Sequence, residues 1–287
     1  MHQANSIVDL KPFVKWVGAK NSSISALHAL MPEKINTYVE LFVGSGALFF
    51  ASNFDRAIIN DNNQELVNAY QVIRDHVGEL EFFLSTLVYD KDLYLKIRAW
   101  DREPNFLKRD PIERAGRFIY LMKTCYNGLY RVSKKDHFNT PFGQYKAPNI
   151  CDVKTLNACS KFLQDREVVI LNQDYGSLLD SLTQDCFVYL DPPYFPLSKT
   201  ANFTSYQKEG FSEGEQLRLF EFCNKLHERG IKFLLSNSDV EEIRTLYAKY
   251  RLHVIKVPRR INSNINKRAA VNELAICNYD VNTGMII

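Results

Sequence analysis

The chain has 287 residues, 46% of them hydrophobic and 24% charged, which excludes a disordered or fibrous protein and leaves room for one α/β domain with an inserted lobe, or two modest domains. No apolar run approaches the roughly 20 residues of a membrane span. MHQANSIVDLKPF lacks the charged and apolar regions of a signal peptide, so a cytoplasmic protein is expected. The net charge of +3 is unevenly spread: residues 91–150 carry thirteen Lys/Arg against six Asp/Glu. A segment that meets a polyanion has this bias, and so does a merely solvated face.

Along the chain, short apolar runs alternate with helical patterns, the signature of a mostly parallel sheet covered by helices. The predicted strands are Thr37 to Val43, Arg56 to Asn60, Val168 to Leu171, Phe187 to Leu190, Lys232 to Leu235, Leu252 to Val257 and Glu273 to Asn278. Together they fit one doubly wound sheet. Between the second and third lies a long stretch rich in charge and aromatics. It is helical at first, with apolar spacing in LVNAYQVI and AGRFIYLM, then irregular through YNGLYRVSKKDHFNTPFGQYKAPN, and reads as an inserted lobe. The six cysteines form neither a C-x-x-C pair nor a cluster with histidine, which predicts reduced thiols and no metal site.

The first chemistry-bearing segment is FVKWVGAK, with Trp16 and Lys20; Trp16 fits either a nucleoside pocket or the core. Next, YVELFVGSGAL sets a strand before F-x-G-x-G, where Phe42, Gly44 and Gly46 allow a tight turn and close approach to a ligand. The third glycine of a dinucleotide fingerprint is replaced by Phe49, which favours a nucleoside cofactor over NAD. Asp61 ends the second strand, where a carboxylate can receive both ribose hydroxyls or cap a helix. After the third strand, NQDY offers Asp174 as an acceptor for an adenine amino group or as another cap.

The fourth strand runs into Asp191-Pro192-Pro193-Tyr194. Two prolines fix the backbone and withdraw two N–H donors, leaving carbonyl acceptors beside a carboxylate and a ring. That set suits an exocyclic amine: Asp191 and the Pro192 carbonyl can receive its two N–H bonds while Tyr194 stacks on the base. A further basic stretch, VPRRINSNINKR, separates the last two strands and fits either a phosphate-binding or a solvated loop.

In these motifs and their order the sequence resembles the Dam-type, α-class DNA adenine N6-methyltransferases that include the GATC modification enzymes. FVKWVGAK, FVGSGAL, NDNN and DPPYFPLSKTANFTSY match its cofactor, glycine-loop, ribose and catalytic motifs, with Ala19 where glycine is common. The resemblance implies a seven-stranded Rossmann-like methyltransferase sheet with an inserted, mainly helical target-recognition domain. It implies that Trp16, Lys20, Asp61 and Asp191 contact S-adenosylmethionine, that Phe42 and Gly44 lie near it, and that Asp174 and Tyr175 meet its adenine. YNGLYRVS and FNTPFGQYK match the recognition segment, implying that Tyr126 and Asn127 approach the flipped base, Arg131 reads a guanine, Leu129 and Pro141 touch base edges, and Asn139 and Lys146 also meet DNA. Arg131 has a surface ion pair as its plainer reading. Gln144 stands where many relatives carry arginine.

The expected division is a catalytic, cofactor-binding domain at 1–61 and 166–287 and a DNA-binding domain at 62–165. Double-stranded DNA is the expected partner, a partner endonuclease is compatible, and the protein is expected to be a monomer. The rival readings are an amino methyltransferase acting on cytosine N4, RNA or a protein glutamine, and a DNA-binding repressor with a decayed cofactor site. Aspartate as the first residue of the tetrad speaks against the former by resemblance. The intact set Trp16, Lys20, Asp61 and Asp191 speaks against the latter.

Overall fold

In a computed structural model, which describes residues 10–196, 211–257 and 271–281, seven strands join one sheet. They are β1 Thr37–Glu40, β2 Arg56–Asn60, β3 Glu167–Leu171, β4 Cys186–Leu190, β5 Lys232–Ser238, β6 Arg251–Val257 and β7 Val271–Cys277. Their spatial order is β3-β2-β1-β4-β5-β7-β6; the first five run parallel, and β7 pairs antiparallel with both β5 and β6. All seven predicted strands are present. β1 is shorter than expected, because the chain turns through Leu41–Gly46 with Gly44 and Gly46 at φ 51° and 71°, backbone that ends a ladder.

Alternation along the strands divides the core into two layers. Tyr38, Phe187 and Tyr189 face one side, packed with α1 Ile24–Leu30, α2 Ala47–Ala51, α3 Gln64–Asp75 and α7 Val153–Gln164. Val39, Val188, Leu190 and Leu235 face the other. There they meet a 3-10 helix at Tyr175–Ser181, α8 Glu213–Glu228 and α9 Glu241–Leu246. The sheet is therefore covered on both faces, as a parallel sheet requires.

The stretch between β2 and β3 holds α3, α4 Val77–Ser85, α5 Lys91–Ala99, α6 Pro111–Thr124 and α7. Its apolar side chains belong to the same buried cluster as the sheet face, so the lobe shares its core with the sheet. LVNAYQVI and AGRFIYLM form α3 and α6, as their spacing predicts. Asp110 accepts from the Ile112 N–H ahead of Pro111 at the start of α6, and Asn63 caps α3 through the Leu66 N–H. Where α4 crosses α6, Gly116 makes room for Phe83: a Cβ there would stand 2.2 Å from the ring.

The irregular part folds back on itself. Cys125 bridges Phe142 and Val132 bridges Phe138, around a turn in which the Ser133 N–H donates to the His137 carbonyl. α5 and the following turn hold this ribbon by its backbone: the Tyr94 hydroxyl donates to the Thr140 carbonyl at 2.8 Å, Asp101 accepts the Phe138 N–H at 2.6 Å, and Arg102 reaches the Phe138 carbonyl at 3.1 Å. No described helix is long and apolar enough to cross a membrane. Most of VPRRINSNINKR and the chain following Pro196 in the catalytic motif lie outside the described residues.

Candidate active site

The carboxyl ends of β3, β2, β1 and β4 lie side by side, and Phe42, Gly44, Asp61, Asp174, Tyr175 and Asp191 follow them in the adjoining loops, while Trp16 and Lys20 come from the segment ahead of α1. This is the edge at which parallel α/β sheets bind ligands, and the strand order reverses between β1 and β4.

The glycine loop is fastened to the end of β2. Asp61 accepts the Gly44 N–H at 2.9 Å with one oxygen and the Asn63 N–H at 2.9 Å with the other. Burial raises its pKa, and these N–H groups oppose the rise. Asp61 therefore does not cap α3; Asn63 does. Each carboxylate oxygen still has a lone pair for a further donor. Gly44 has to be glycine on two counts, its positive φ and the indole of Trp16, whose Cδ1 lies 2.7 Å from where a Cβ would stand. Trp16 is half-buried and stacks on Tyr130 of the inserted ribbon at 5.2 Å between centroids. It thus touches both the glycine loop and the lobe.

At the end of β3, Asn60 holds the Gln173 backbone with both ends of its amide. Asp174 caps the following 3-10 helix through the Gly176 N–H and pairs with Arg218 of α8, which pulls its pKa down. Phe42 and Tyr175 lie 5.1 Å apart, and the Arg218 guanidinium covers the Tyr175 ring at 4.6 Å. Sequence reading missed Arg218, which carries no local motif.

Asp191 leaves β4 beside Lys20. The ammonium lies 2.8 Å from Asp191 Oδ2, donates to the Gly18 carbonyl at 2.7 Å and sits 4.7 Å from the centroid of the Tyr194 ring. Asp191 Oδ1 is buried and has no hydrogen-bond partner among the described residues. Burial, opposed by Lys20, pushes this carboxyl up to about 6. The residues after it are clamped from α8 and β5: Gln216 donates to the Pro193 carbonyl at 3.3 Å, Asn237 accepts the Phe195 N–H at 3.1 Å, and Ser238 donates to the Phe195 carbonyl at 2.8 Å. The Tyr194 hydroxyl donates to Glu273 of β7 at 2.9 Å.

A second carboxyl, Glu40 at the end of β1, is buried and accepts the Tyr38 hydroxyl at 2.6 Å. Burial pushes it up to about 8, against the pull of that hydroxyl. Glu40 and Glu273 were not predicted as site residues. Each is the lone acidic residue in an apolar strand, a signal that could have flagged them.

The recognition candidates cluster on the ribbon. Tyr126, Asn127, Pro141 and Lys146 are exposed, Leu129 is half-buried, and Asn127 takes a left-handed conformation at φ 56°. Arg131 is bound to Asn139: its Nε donates to Asn139 Oδ1 at 2.6 Å and its Nη2 to the Asn139 carbonyl at 2.9 Å. Gly143 admits Tyr145, whose ring would meet a Cβ there at 2.4 Å.

The chain is similar to known proteins. A family model described as D12 class N6 adenine-specific DNA methyltransferase matches residues 16–261. The chain is 39% identical to the type II methyltransferase M.MjaIII of Methanocaldococcus jannaschii, over 95% of this chain and all of that protein. It is 37% identical to the type II methyltransferase M1.LlaDCHI of Lactococcus lactis subsp. cremoris, over 95% and 96% of the two chains. With the DNA adenine methylase of Escherichia coli strain K12 the identity is 34%, over 92% and 94%. A match over most of the chain, on a sheet that gathers Lys20, Asp61 and Asp191 at one edge, identifies this protein as a member of the D12 class of N6 adenine-specific DNA methyltransferases.

Proposed function

We propose that this enzyme flips an adenine out of duplex DNA, within GATC, and receives its amino group on Asp191. The observation that carries the reading is the state of that carboxylate: one oxygen is held by Lys20 and the other is buried beside Tyr194 with no described donor. An unsatisfied buried acceptor calls for a donor, and an exocyclic amine supplies two. With one N–H on Asp191 Oδ1 and the other on the Pro192 carbonyl, the nitrogen is drawn toward tetrahedral geometry and its lone pair turns to the methyl donor. Lys20 covers one region of the Tyr194 ring, and the base stacks on what is left.

S-adenosylmethionine, when bound, supplies the methyl group on a sulfonium and departs as a neutral thioether. The residues present suit it. Asp61 keeps lone pairs for ribose hydroxyls after fastening the glycine loop, the loop at Gly44 presents bare backbone, and Phe42 and Tyr175 form an apolar wall for the adenine. Asp174 contributes through whatever acceptor capacity Arg218 leaves it.

In the division of labour we infer, residues 1–61 and 166–287 hold cofactor and chemistry. Residues 62–165 read DNA, with α3 and α7 tying that lobe to the sheet. Arg131 reads guanine in an orientation set by Asn139; Tyr126, Asn127, Leu129, Pro141 and Lys146 line the same surface. GATC is supported by the resemblance of YNGLYRVS and FNTPFGQYK to the recognition segment of GATC enzymes. Two of the relatives are type II methyltransferases by name, which supports pairing with a restriction endonuclease.

The test is methylation-sensitive sequencing of DNA treated with the pure protein, alongside Asp191→Ala. Modification at GATC adenines is expected, with a loss on the order of a hundredfold in the variant while DNA binding survives. Near-normal turnover by Asp191→Ala would sink the amine-receiving role, and modification at another sequence would remove GATC.

A further inference from the structure

Tyr194 and Asp191 are two peptide units of proline apart, and the backbone between and beyond them is held at three points by Gln216, Asn237 and Ser238. The tyrosine side chain is therefore set on a fastened backbone. Its hydroxyl carries one proton and has two carboxylates within its influence. It donates to Glu273 at 2.9 Å, and Asp191, whose Oδ1 takes no hydrogen bond among the described residues, is its electrostatic neighbour. Burial and the neighbouring Asp191 keep the phenol far above its ordinary pKa, so it stays a neutral donor. Glu273 reaches this position because β7 runs antiparallel to β5 in a register that sets it opposite Ser238, beside the segment that anchors Phe195.

A phenol that donated to Asp191 would occupy the acceptor on which the amine has to land. It would also draw the ring toward the carboxylate, and a charge-assisted O–H···O⁻ bond is among the stronger ones available. We propose that Glu273 is a positioning residue that accepts the Tyr194 hydroxyl hydrogen bond and so keeps Asp191 Oδ1 open for the target amine. Glu273 touches neither reactant and acts through Tyr194 alone. The inference rests on the reading of Asp191 as the amine acceptor.

The experiment is single-turnover methyl transfer to duplex DNA at saturating labelled methyl donor, with two substitutions of similar size: Glu273→Gln, which keeps an acceptor, and Glu273→Met, which has none. Glu273→Met is expected to slow transfer roughly ten- to a hundredfold, as a misplaced reacting group does. Glu273→Gln retains most of the rate, and both keep the parent affinity for the methyl donor. In a Tyr194→Phe background, which lacks the hydroxyl, Glu273→Met is expected to cost nothing further. Equal loss in both backgrounds, a parent-like rate for Glu273→Met, or a Gln variant as slow as the Met variant each overturns the proposal. Asp191→Ala, assayed in parallel, separates the two levels. If it too keeps its turnover, the amine-acceptor reading fails; if it is dead while Glu273→Met is normal, only the role of Glu273 fails.

Discussion

Two buried carboxyls share the space around Lys20, and their titrations have opposite uses. Asp191 titrates at about 6, raised by burial and held down by Lys20; Glu273, Glu40, Tyr189 and Tyr194 also face it or lie near it. Its carboxylate form is the proposed acceptor of the target amine. Methyl transfer is therefore expected to fall as pH drops through about 6 and to be unaffected by this group above it, which a single-turnover pH profile measures. A flat profile across that range would argue against ionised Asp191 in the step. Glu40 sits higher, at about 8 against an ordinary 4.5, so the folded protein retains a proton that the unfolded chain releases. That favours folding below about pH 4.5, and the contribution is lost as pH rises to about 8. Glu40→Gln keeps an oxygen for the Tyr38 hydroxyl and cannot ionise. Relative to the parent it is expected to gain stability on the order of a few kcal/mol between pH 5 and pH 8.5 in urea unfolding. Parallel stability curves for the two proteins would mean that Glu40 is not held neutral.

At the scale of elements, the ribbon carrying Arg131 is fastened by hydrogen bonds along its length. Its backbone carbonyls and amides are held by Tyr94, Arg98, Asp101 and Arg102, and its guanidinium by Asn139. If Arg131 forks onto a guanine, Arg131→Ala is expected to lose roughly 1–3 kcal/mol on the cognate duplex and to relax discrimination at one base pair. Asn139→Ala, which removes the side-chain half of the support, is expected to relax the same base pair by less. Methylation of duplexes with single substitutions in the site, at fixed salt, checks both. A uniform loss on all sequences, with a salt slope shallower by about one, would instead assign Arg131 to phosphate. Trp16 packs between this ribbon, through Tyr130, and the glycine loop, through Gly44.

The described residues form a sheet covered on both faces, with the candidate site at one edge and a lobe that shares the core of one face. Because that edge is made of loops fastened to strand ends, ligand binding is expected to stabilise the entire unit. Methyl donor at a hundred times its dissociation constant adds about 2.7 kcal/mol, read as a rise in Tm. Asp61→Ala is expected to lose much of that rise at the same donor concentration, since it removes both the proposed ribose acceptor and the tether of Gly44. An unchanged thermal shift would take Asp61 out of the pocket.

Much of this was legible in the linear sequence. Strands with apolar alternation, a glycine loop after β1, an acid after β2 and D-P-P-Y after β4 are local patterns, and local backbone preferences decide them. What the sequence left open were choices between partners distant along the chain. Asp61 and Asp174 each read as a ligand acceptor or a helix cap. Folding made Asp61 the tether of the glycine loop, and Asp174 a cap paired with Arg218. Trp16 read as pocket or core, and it lies at the junction of the glycine loop and the inserted ribbon. Glu40 and Glu273 are flagged by sequence only as lone acids in apolar strands, which says nothing of what they meet. Only the sheet order, which lays β1 beside β4 and β7 beside β5, brings one near Asp191 and the other onto the Tyr194 hydroxyl. Periodicity and turn chemistry act over a few residues, so sequence determines the elements and their motifs. Desolvation and hydrogen bonding act through space, so only the tertiary structure decides which carboxylate is tied, which is neutral and which is left open.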